Sequence, residues 1–397
     1  MKQLALEYHR SVGRYLAGRA LTGTKLGGRA AGSVAAGIAP LRVVQRVDPV
    51  LPATGWTRVR PLLSGICGSD LGLLTGRNSP YLASLVSMPF VPGHEVIGET
   101  LDELDDLPRG SRVVLDSVLG CVARGLEPCA SCAAGQHGRC DNITTGHLSP
   151  GIQTGYCADT GGGWSRQFVA HRTQLHAVPD ALTDEAAVLV EPLACAIHAV
   201  RRADVPADST VLVIGAGTVG LLTVLALRAF TKAGQIMVIA RHPRQRDRAR
   251  ELGATEVIGS DRALRTLRRK TGGFVIKPDL GEEFLLGGAD VAFDCTSGSG
   301  LTTATRAVRA GGTVVMAGMP NTGVDLTPVW FRELTIVGGY ASGGQDFPDA
   351  ISLAQDAPLA GYVDAVYSLR RWSEAIQHAT SAGRLGSMKV AFNPRLE

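Results

Sequence analysis

Two textures of hydrophobic patterning divide the chain. Up to about residue 190 the apolar residues come in short runs broken by glycine and proline, as in "WTRVRPLL" (56–63), "FVPGHEVIGET" (90–100) and "SRVVLDSV" (111–118). Runs of this kind predict the short strands of an irregular, mostly β domain. "KQLALEY" (2–8) reads as a first strand, followed by a long irregular loop. Beyond about residue 195 the pattern changes. "STVLVIGAGTVGLLTVLALRAF" (209–230) is an apolar strand, a glycine turn and a helix. "GQIMVIA" (234–240) is a strand and "RQRDRARELGA" (244–254) a helix ending at glycine. "ADVAFDCTS", "LTTATRAVRAGG" and "TVVMAGMP" (289–320) continue the alternation. Strands that are apolar throughout, alternating with helices, predict a doubly wound parallel sheet covered on both faces, hence an α/β fold. From about residue 346 the chain reads as loop and helix ending in the short strand "KVAFN".

Length agrees with this division, since 397 residues exceed one ordinary hydrophobic core. The expected domains are 1–193, 194–345 and a C-terminal segment, 346–397. A net charge of +4 gives no electrostatic footprint for nucleic acid. The basic runs 241–250 and 262–270 read as solvated helix faces, except where the first meets the cofactor argument below. The longest uncharged apolar run, 211–227, is interrupted by three glycines, so no membrane span is expected. The first 45 residues hold one acidic residue, Glu7, a transit-peptide-like composition, although the strand reading of 2–8 is preferred. Four of the eight cysteines crowd into twenty residues, which points to metal in a reducing, cytoplasmic setting rather than to disulfides. Cys157, Cys195 and Cys295 read as small buried hydrophobes.

Gly215-Ala216-Gly217-Thr218-Val219-Gly220 follows an apolar strand and opens a helix, which is the context a dinucleotide-binding loop requires. The first glycine makes the turn, the second lets a pyrophosphate approach, and the third lets helix and strand pack. The helix start offers free N–H groups to phosphate. In this fold an acid about 20 residues on holds the ribose 2′-hydroxyl of NAD. Here "VIARHPRQR" (238–246) has Ala240 and Arg241 at that place. An arginine pairs with a 2′-phosphate that an acid would repel, so NADP(H) is expected over NAD(H), with Arg241 as main contact and Arg244 or Arg246 assisting.

Cys121, Cys129, Cys132 and Cys140 can close a tetrahedral, structural zinc site with no open position. Cys67 in "GICGSD" (65–70), His94 in "PGHEVIGE" (92–99) and Glu191 in "VEPLACAIHAV" (190–200) offer a different set. Cys, His and carboxylate together leave one zinc position for water or substrate. Neighbours on a regular strand point to opposite faces, so His94 is assigned to this catalytic metal and Glu95 is either its supporting partner or an exchangeable ligand.

These motifs, in this order, resemble the zinc-containing medium-chain dehydrogenases, especially the sorbitol/threonine/glucose dehydrogenase branch. The resemblance runs from about residue 40 onward. It implies a GroES-like catalytic domain to which the C-terminal segment returns, a Rossmann domain, and an active site where the two meet. It implies that Cys67, His94 and Glu191, with Glu95 in exchange, form the catalytic zinc set, and that Ser69 passes the substrate's proton. It also implies a small-molecule alcohol or carbonyl substrate and a homodimer or homotetramer. Reduction of a C=C or C=N bond, or cofactor binding without turnover, are the rival readings. The chain departs from the family in three ways. Leu126 stands where the lobe's first cysteine is usual, leaving Cys121 as the substitute. Gly72 stands where many relatives carry a relay histidine. The stretches 9–40 and 271–288 look like insertions.

Overall fold

The computed structural model describes residues 2–22, 31–104, 106–296, 298–319 and 323–397, and in it the short apolar runs pair into a seven-stranded sheet. The order is Val363–Tyr367, Lys389–Phe392, Trp56–Gly65, Val96–Thr100, Arg112–Leu115 and Leu175–Ala177, with Phe168–His171 beside the first half of Trp56–Gly65. Only the pairing of Val363–Tyr367 with Lys389–Phe392 is parallel. Register places Ala391 opposite Gly65 and Ser64 opposite Val96. The stretches around residues 65, 95 and 390 therefore meet at one spot in the sheet. The sheet belongs to a compact unit made of the chain up to Glu191 and Ser342–Glu397. Its core includes Leu6, Phe90, Trp164 and Phe392, with Trp164 edge-on to Phe392 at 5.1 Å between ring centres.

Lys2–Tyr8 is a strand and pairs antiparallel with Leu41–Val47. The irregular loop expected after it is instead helical at Val12–Thr22 and Ala31–Ile38; between these helices, 23–30 lie outside the described residues. The first of these helices has no broad apolar stripe to announce it. It buries Gly18 and Thr22, one turn apart, and Thr22 Oγ1 donates to the carbonyls of Gly18 (2.8 Å) and Thr75 (3.0 Å). Packing through small and polar residues is invisible to hydrophobic periodicity.

The second unit, Pro192–Ala341, holds a six-stranded parallel sheet. Its order is Glu256–Ile258, Gln235–Ile239, Thr210–Ile214, Ala289–Asp294, Val308–Met316, Thr335–Gly338. Numbered by sequence within this sheet the order is 3-2-1-4-5-6, the arrangement of dinucleotide-binding sheets. The interior strand residues Val211–Ile214 and Val291–Asp294 are buried, as strands covered on both faces must be. Within 271–288 the chain forms a small antiparallel hairpin, Phe274–Ile276 with Phe284–Leu286.

In the first unit, the His176 ring lies flat on Phe347, 4.7 Å apart and 5° from parallel, which holds helix Asp346–Asp356 to strand Leu175–Ala177. Burial, helped by Arg172, pushes the His176 pKa down from 6.5 to about 4. The unfolded chain therefore binds a proton that the folded one excludes, and stability falls as pH drops from 6.5 toward 4. A His176→Gln chain lacks this component. Its Tm deficit relative to the parent should shrink steadily across that window, and a deficit that stays constant would contradict the assignment.

Candidate metal centres and nucleotide loop

One buried carboxylate organises the first site. Cys67 is the N-cap of helix Gly68–Leu74, with extended backbone (φ −84°, ψ 158°). Three residues on, Asp70 reaches back, and its Oδ2 accepts from the Cys67 backbone N–H at 2.9 Å. This is the return half of a capping box. The other oxygen, Oδ1, faces His94 Nδ1 at 3.6 Å, and neither of these two buried atoms has a closer polar partner among the described residues. On the other side of the ring, His94 Nε2 lies 3.4 Å from Ser69 Oγ. Cys67, Ser69 and His94 are thus gathered around Asp70, which is wholly buried. Burial raises the Asp70 pKa, although His94 and the Cys67 amide work against the rise. Burial alone would lower the pKa of His94, but Asp70, Cys67 and Glu191 outweigh it and hold it well above 6.5.

Glu95 turns elsewhere. Its Oε2 accepts from Lys389 Nζ, and both side chains are almost fully buried. A Cβ at Gly65 would collide with that carboxylate, so the adjacent strand leaves room for the pair. Burial opposes the Lys389 ammonium, but Glu95, Cys67 and Glu191 more than compensate and raise its pKa. Glu191 opens helix Val190–Ala203 and is buried; its charge acts on both His94 and Lys389. The ligand atoms of Cys67, His94, Glu95 and Glu191 are not all drawn within 4.8 Å of one another, a closeness reached among the described residues only by the four lobe cysteines. Even so, the donor chemistry suits zinc, and the anionic surroundings that favour a charged imidazole equally favour a dication. Asp70 is in position to fix the ring with Nε2 free to ligate.

In the lobe, the sulfurs of Cys121, Cys129, Cys132 and Cys140 all lie within 4.8 Å of one another, with 3.5 Å between those of Cys121 and Cys140. A tetrahedral Cys₄ zinc site needs sulfurs about 3.8 Å apart, so these residues fit the ion. Amides point at the sulfurs: Cys129 N and Asn142 Nδ2 at Cys121 Sγ, and Asn142 N at Cys140 Sγ, each 3.3 Å. The backbone amides of Asp141 and Cys132 lower the Cys129 thiol to about 6, whereas burial raises those of Cys132 and Cys140. Leu126, in the usual place of the first ligand, packs beside the sulfurs. The loop that brings Cys121 in its stead is pinned by Arg124. This fully buried guanidinium donates to the carbonyls of Leu119, Thr145, Leu148, Ser149 and Gly151.

In the second unit, Gly215 (φ +92°) makes the turn after strand Thr210–Ile214. A Cβ on Gly220 would strike the Gly215 carbonyl, whereas one on Gly217 would meet nothing within 4 Å. The chain is tight where helix meets strand and open where a pyrophosphate would lie. Helix Thr218–Phe230 starts at Gly217 with no side-chain cap, so Thr218 and Val219 form the helix start that a phosphate would face. The residues fit a dinucleotide. Ala240 follows strand Gln235–Ile239 and is buried, and Arg241 is exposed beside it. Arg246 is spent on the backbone, its Nε donating to Ala240 O (3.0 Å) and its Nη2 to Arg241 O (3.3 Å). It shapes the loop that presents Arg241.

Sequence reasoning passed over Asp70, Lys389 and Arg124. Asp70 had a signal, since a residue three after an N-cap is where a capping acid stands. Lys389 is the one charge in an otherwise apolar strand. Of the other cysteines, Cys157 is buried, but Cys195 and Cys295 are only partly so.

Residues 53–180 match the model of the alcohol dehydrogenase GroES-like domain, and 218–356 that of the zinc-binding dehydrogenase. The chain is 31% identical to the L-idonate 5-dehydrogenase of Vitis vinifera over 366 residues, 88% of this chain and 91% of that one. It is 30% identical to the sorbitol dehydrogenase of Arabidopsis thaliana over 368 residues, 88% and 92% of the two chains. Among solved structures, a zinc-binding dehydrogenase from Sinorhizobium meliloti 1021 bound to NADP matches with a TM-score of 0.73 over 99% of this chain and 100% of that one. At 24% identity this is a likeness of fold.

The Glu95–Lys389 pair gives a direct test. Lys389→Met strands a buried carboxylate and should destabilise the protein by about 3–5 kcal/mol. Adding Glu95→Gln removes the stranded charge and should restore most of the loss in a denaturant titration. No recovery in the double variant would show that Lys389 acts through something other than Glu95.

Proposed function

The chain belongs to the zinc-dependent medium-chain dehydrogenase/reductase family, and on that premise we propose that it moves hydride between NADP(H) and an alcohol or carbonyl compound. The observation that carries this reading is the gathering of Cys67, Ser69 and His94 around buried Asp70. When bound, zinc supplies a Lewis acid for the substrate oxygen and the nicotinamide supplies an acceptor for hydride.

The chain's own residues do the rest. Cys67, His94 and Glu191 hold the catalytic metal, and Glu95, tied to Lys389, is the ligand available for exchange. Asp70 Oδ1, 3.6 Å from His94 Nδ1, favours a proton on that nitrogen and leaves Nε2 for the metal. Ser69 Oγ, beside Nε2, takes the proton from the substrate hydroxyl. With glycine at position 72 there is no imidazole to carry that proton onward, and it passes from Ser69 to water. The lobe cysteines hold a second, structural zinc. The 215–220 loop takes the pyrophosphate and Arg241 the 2′-phosphate.

Initial rates with a panel of alcohols, read by nicotinamide absorbance, test the reading. The parent should turn over with NADP+ in preference to NAD+. Cys67→Ala should be inactive while still folded. Arg241→Ala should lose about 10–100-fold of its preference for NADP+, the worth of one charge-assisted pair. Full activity in Cys67→Ala would sink the site assignment. An unchanged preference in Arg241→Ala would remove the cofactor argument alone.

A further inference from the structure

The order of the parallel sheet reverses between strands Thr210–Ile214 and Ala289–Asp294, which are hydrogen-bonded neighbours. A dinucleotide lies across the crevice at such a reversal, one half over the strands on each side. Arg241 follows strand Gln235–Ile239, so the adenosine half belongs on that side. The nicotinamide half then belongs over the ends of Ala289–Asp294 and Val308–Met316.

A buried acid stands at the reversal. Asp294 is the last residue of its strand and 1% exposed, with Ile214 opposite on one side and Met316 on the other. Its Oδ1 accepts from Thr296 N at 2.8 Å and from Thr296 Oγ1 at 2.7 Å. A side chain of this length reaches the amide two residues on and closes an Asx turn directly past the strand. Thr296 Oγ1 in turn accepts from Gly300 N at 3.2 Å, at the start of helix Gly300–Ala307. Cys295 N donates to Ile214 O at 3.0 Å. The Asp294 carbonyl accepts from Ala317 N at 3.0 Å and from Gly318 N at 2.8 Å, just past strand Val308–Met316.

The turn so fixed forms a wall for the glycine loop. A Cβ at Gly215 would stand 2.7 Å from Thr296 Cγ2, and one at Gly220 would stand 3.3 Å from Cys295 Cβ. On its other side, a Cβ at Gly318 would strike Thr296 O. The loops that follow Thr210–Ile214, Ala289–Asp294 and Val308–Met316 therefore meet at residues 295–296 without slack. Arg241 follows the strand on the far side of Thr210–Ile214.

Resting on the dinucleotide-binding reading above, we propose that Asp294 is a positioning residue for the cofactor. Acting through Thr296, it sets the spacing between the glycine loop and the Ala317–Gly318 turn, and so shapes the place of the pyrophosphate and the nicotinamide half. The adenosine half is left to the side of Arg241. Asparagine has the same reach and the same acceptor, so it keeps the turn, whereas alanine loses it.

Isothermal titration calorimetry of the full chain with NADPH, NADH, 2′,5′-ADP and 5′-AMP tests this. The dinucleotide that the parent prefers is compared with its own adenosine fragment, so a failed NADP preference does not touch the result. In Asp294→Ala the Kd of the dinucleotide should rise by at least about tenfold, while that of the fragment stays within about twofold. Asp294→Asn should recover most of the lost affinity. Thr296→Val removes only a hydroxyl and keeps the shape beside Gly215; it should show the same split even where Asp294→Ala fails to fold. Dinucleotide affinity unchanged in both Asp294→Ala and Thr296→Val overturns the proposal and leaves the dinucleotide reading in place. Equal loss of fragment and dinucleotide also overturns it, since Asp294 then only holds the sheet together, and so does an Asp294→Asn chain as weak as Asp294→Ala. A parent that binds neither dinucleotide overturns the dinucleotide reading and the proposal together.

Discussion

The first unit is built around a carboxylate with nowhere to go. Asp70 has no solvent exposure, so each oxygen must find its partner inside the protein. One is satisfied by the Cys67 amide, which fixes where helix Gly68–Leu74 begins and hence where the Cys67 and Ser69 side chains stand. The other faces His94, which arrives from the turn before strand Val96–Thr100. Two segments about 25 residues apart are thereby locked in one relation. Register carries the constraint onward, because strand Trp56–Gly65 lies between Val96–Thr100 and Lys389–Phe392. The final strand thus delivers Lys389 to Glu95.

Charge explains the rest of the arrangement. Asp70, Glu95 and Glu191 crowd with Cys67 into a buried region whose own cations are Lys389 and, when protonated, His94. Such a set is held together by mutual pairing, and breaking one pair leaves a charge in a poor dielectric. A divalent ion among these groups would relieve the same excess. The lobe solves a different problem. There the buried arginine donates to five carbonyls and fixes the loop that follows Cys121, while Leu126 packs beside the sulfurs.

Much of this was legible in the sequence, for physical reasons. The interior strands Thr210–Ile214 and Gln235–Ile239 are apolar and buried beyond their first residue because both faces are covered, and that signal is strong. The glycines at 215, 217 and 220 announce their loop because no other residue survives the close approach at Gly220. The four lobe cysteines are near one another in sequence as well as in space. What escaped notice was tertiary. Helix Val12–Thr22 packs through glycine and threonine, so its pattern resembled a loop. Lys389 meets Glu95 across 294 positions, and no local rule links them.

Zinc stoichiometry tests the central claim most directly. Metal analysis of the purified protein, followed by chelator titration of the parent and of Asp70→Asn, should find two zinc ions per chain in the parent. The variant should keep one ion unchanged and hold the other about 10–100-fold more weakly, as expected when the partner of a metal-bound histidine is removed. A parent that takes up only the lobe's ion, or an Asp70→Asn chain that binds both as tightly as the parent, would contradict the account of Asp70 as the residue that assembles a metal site.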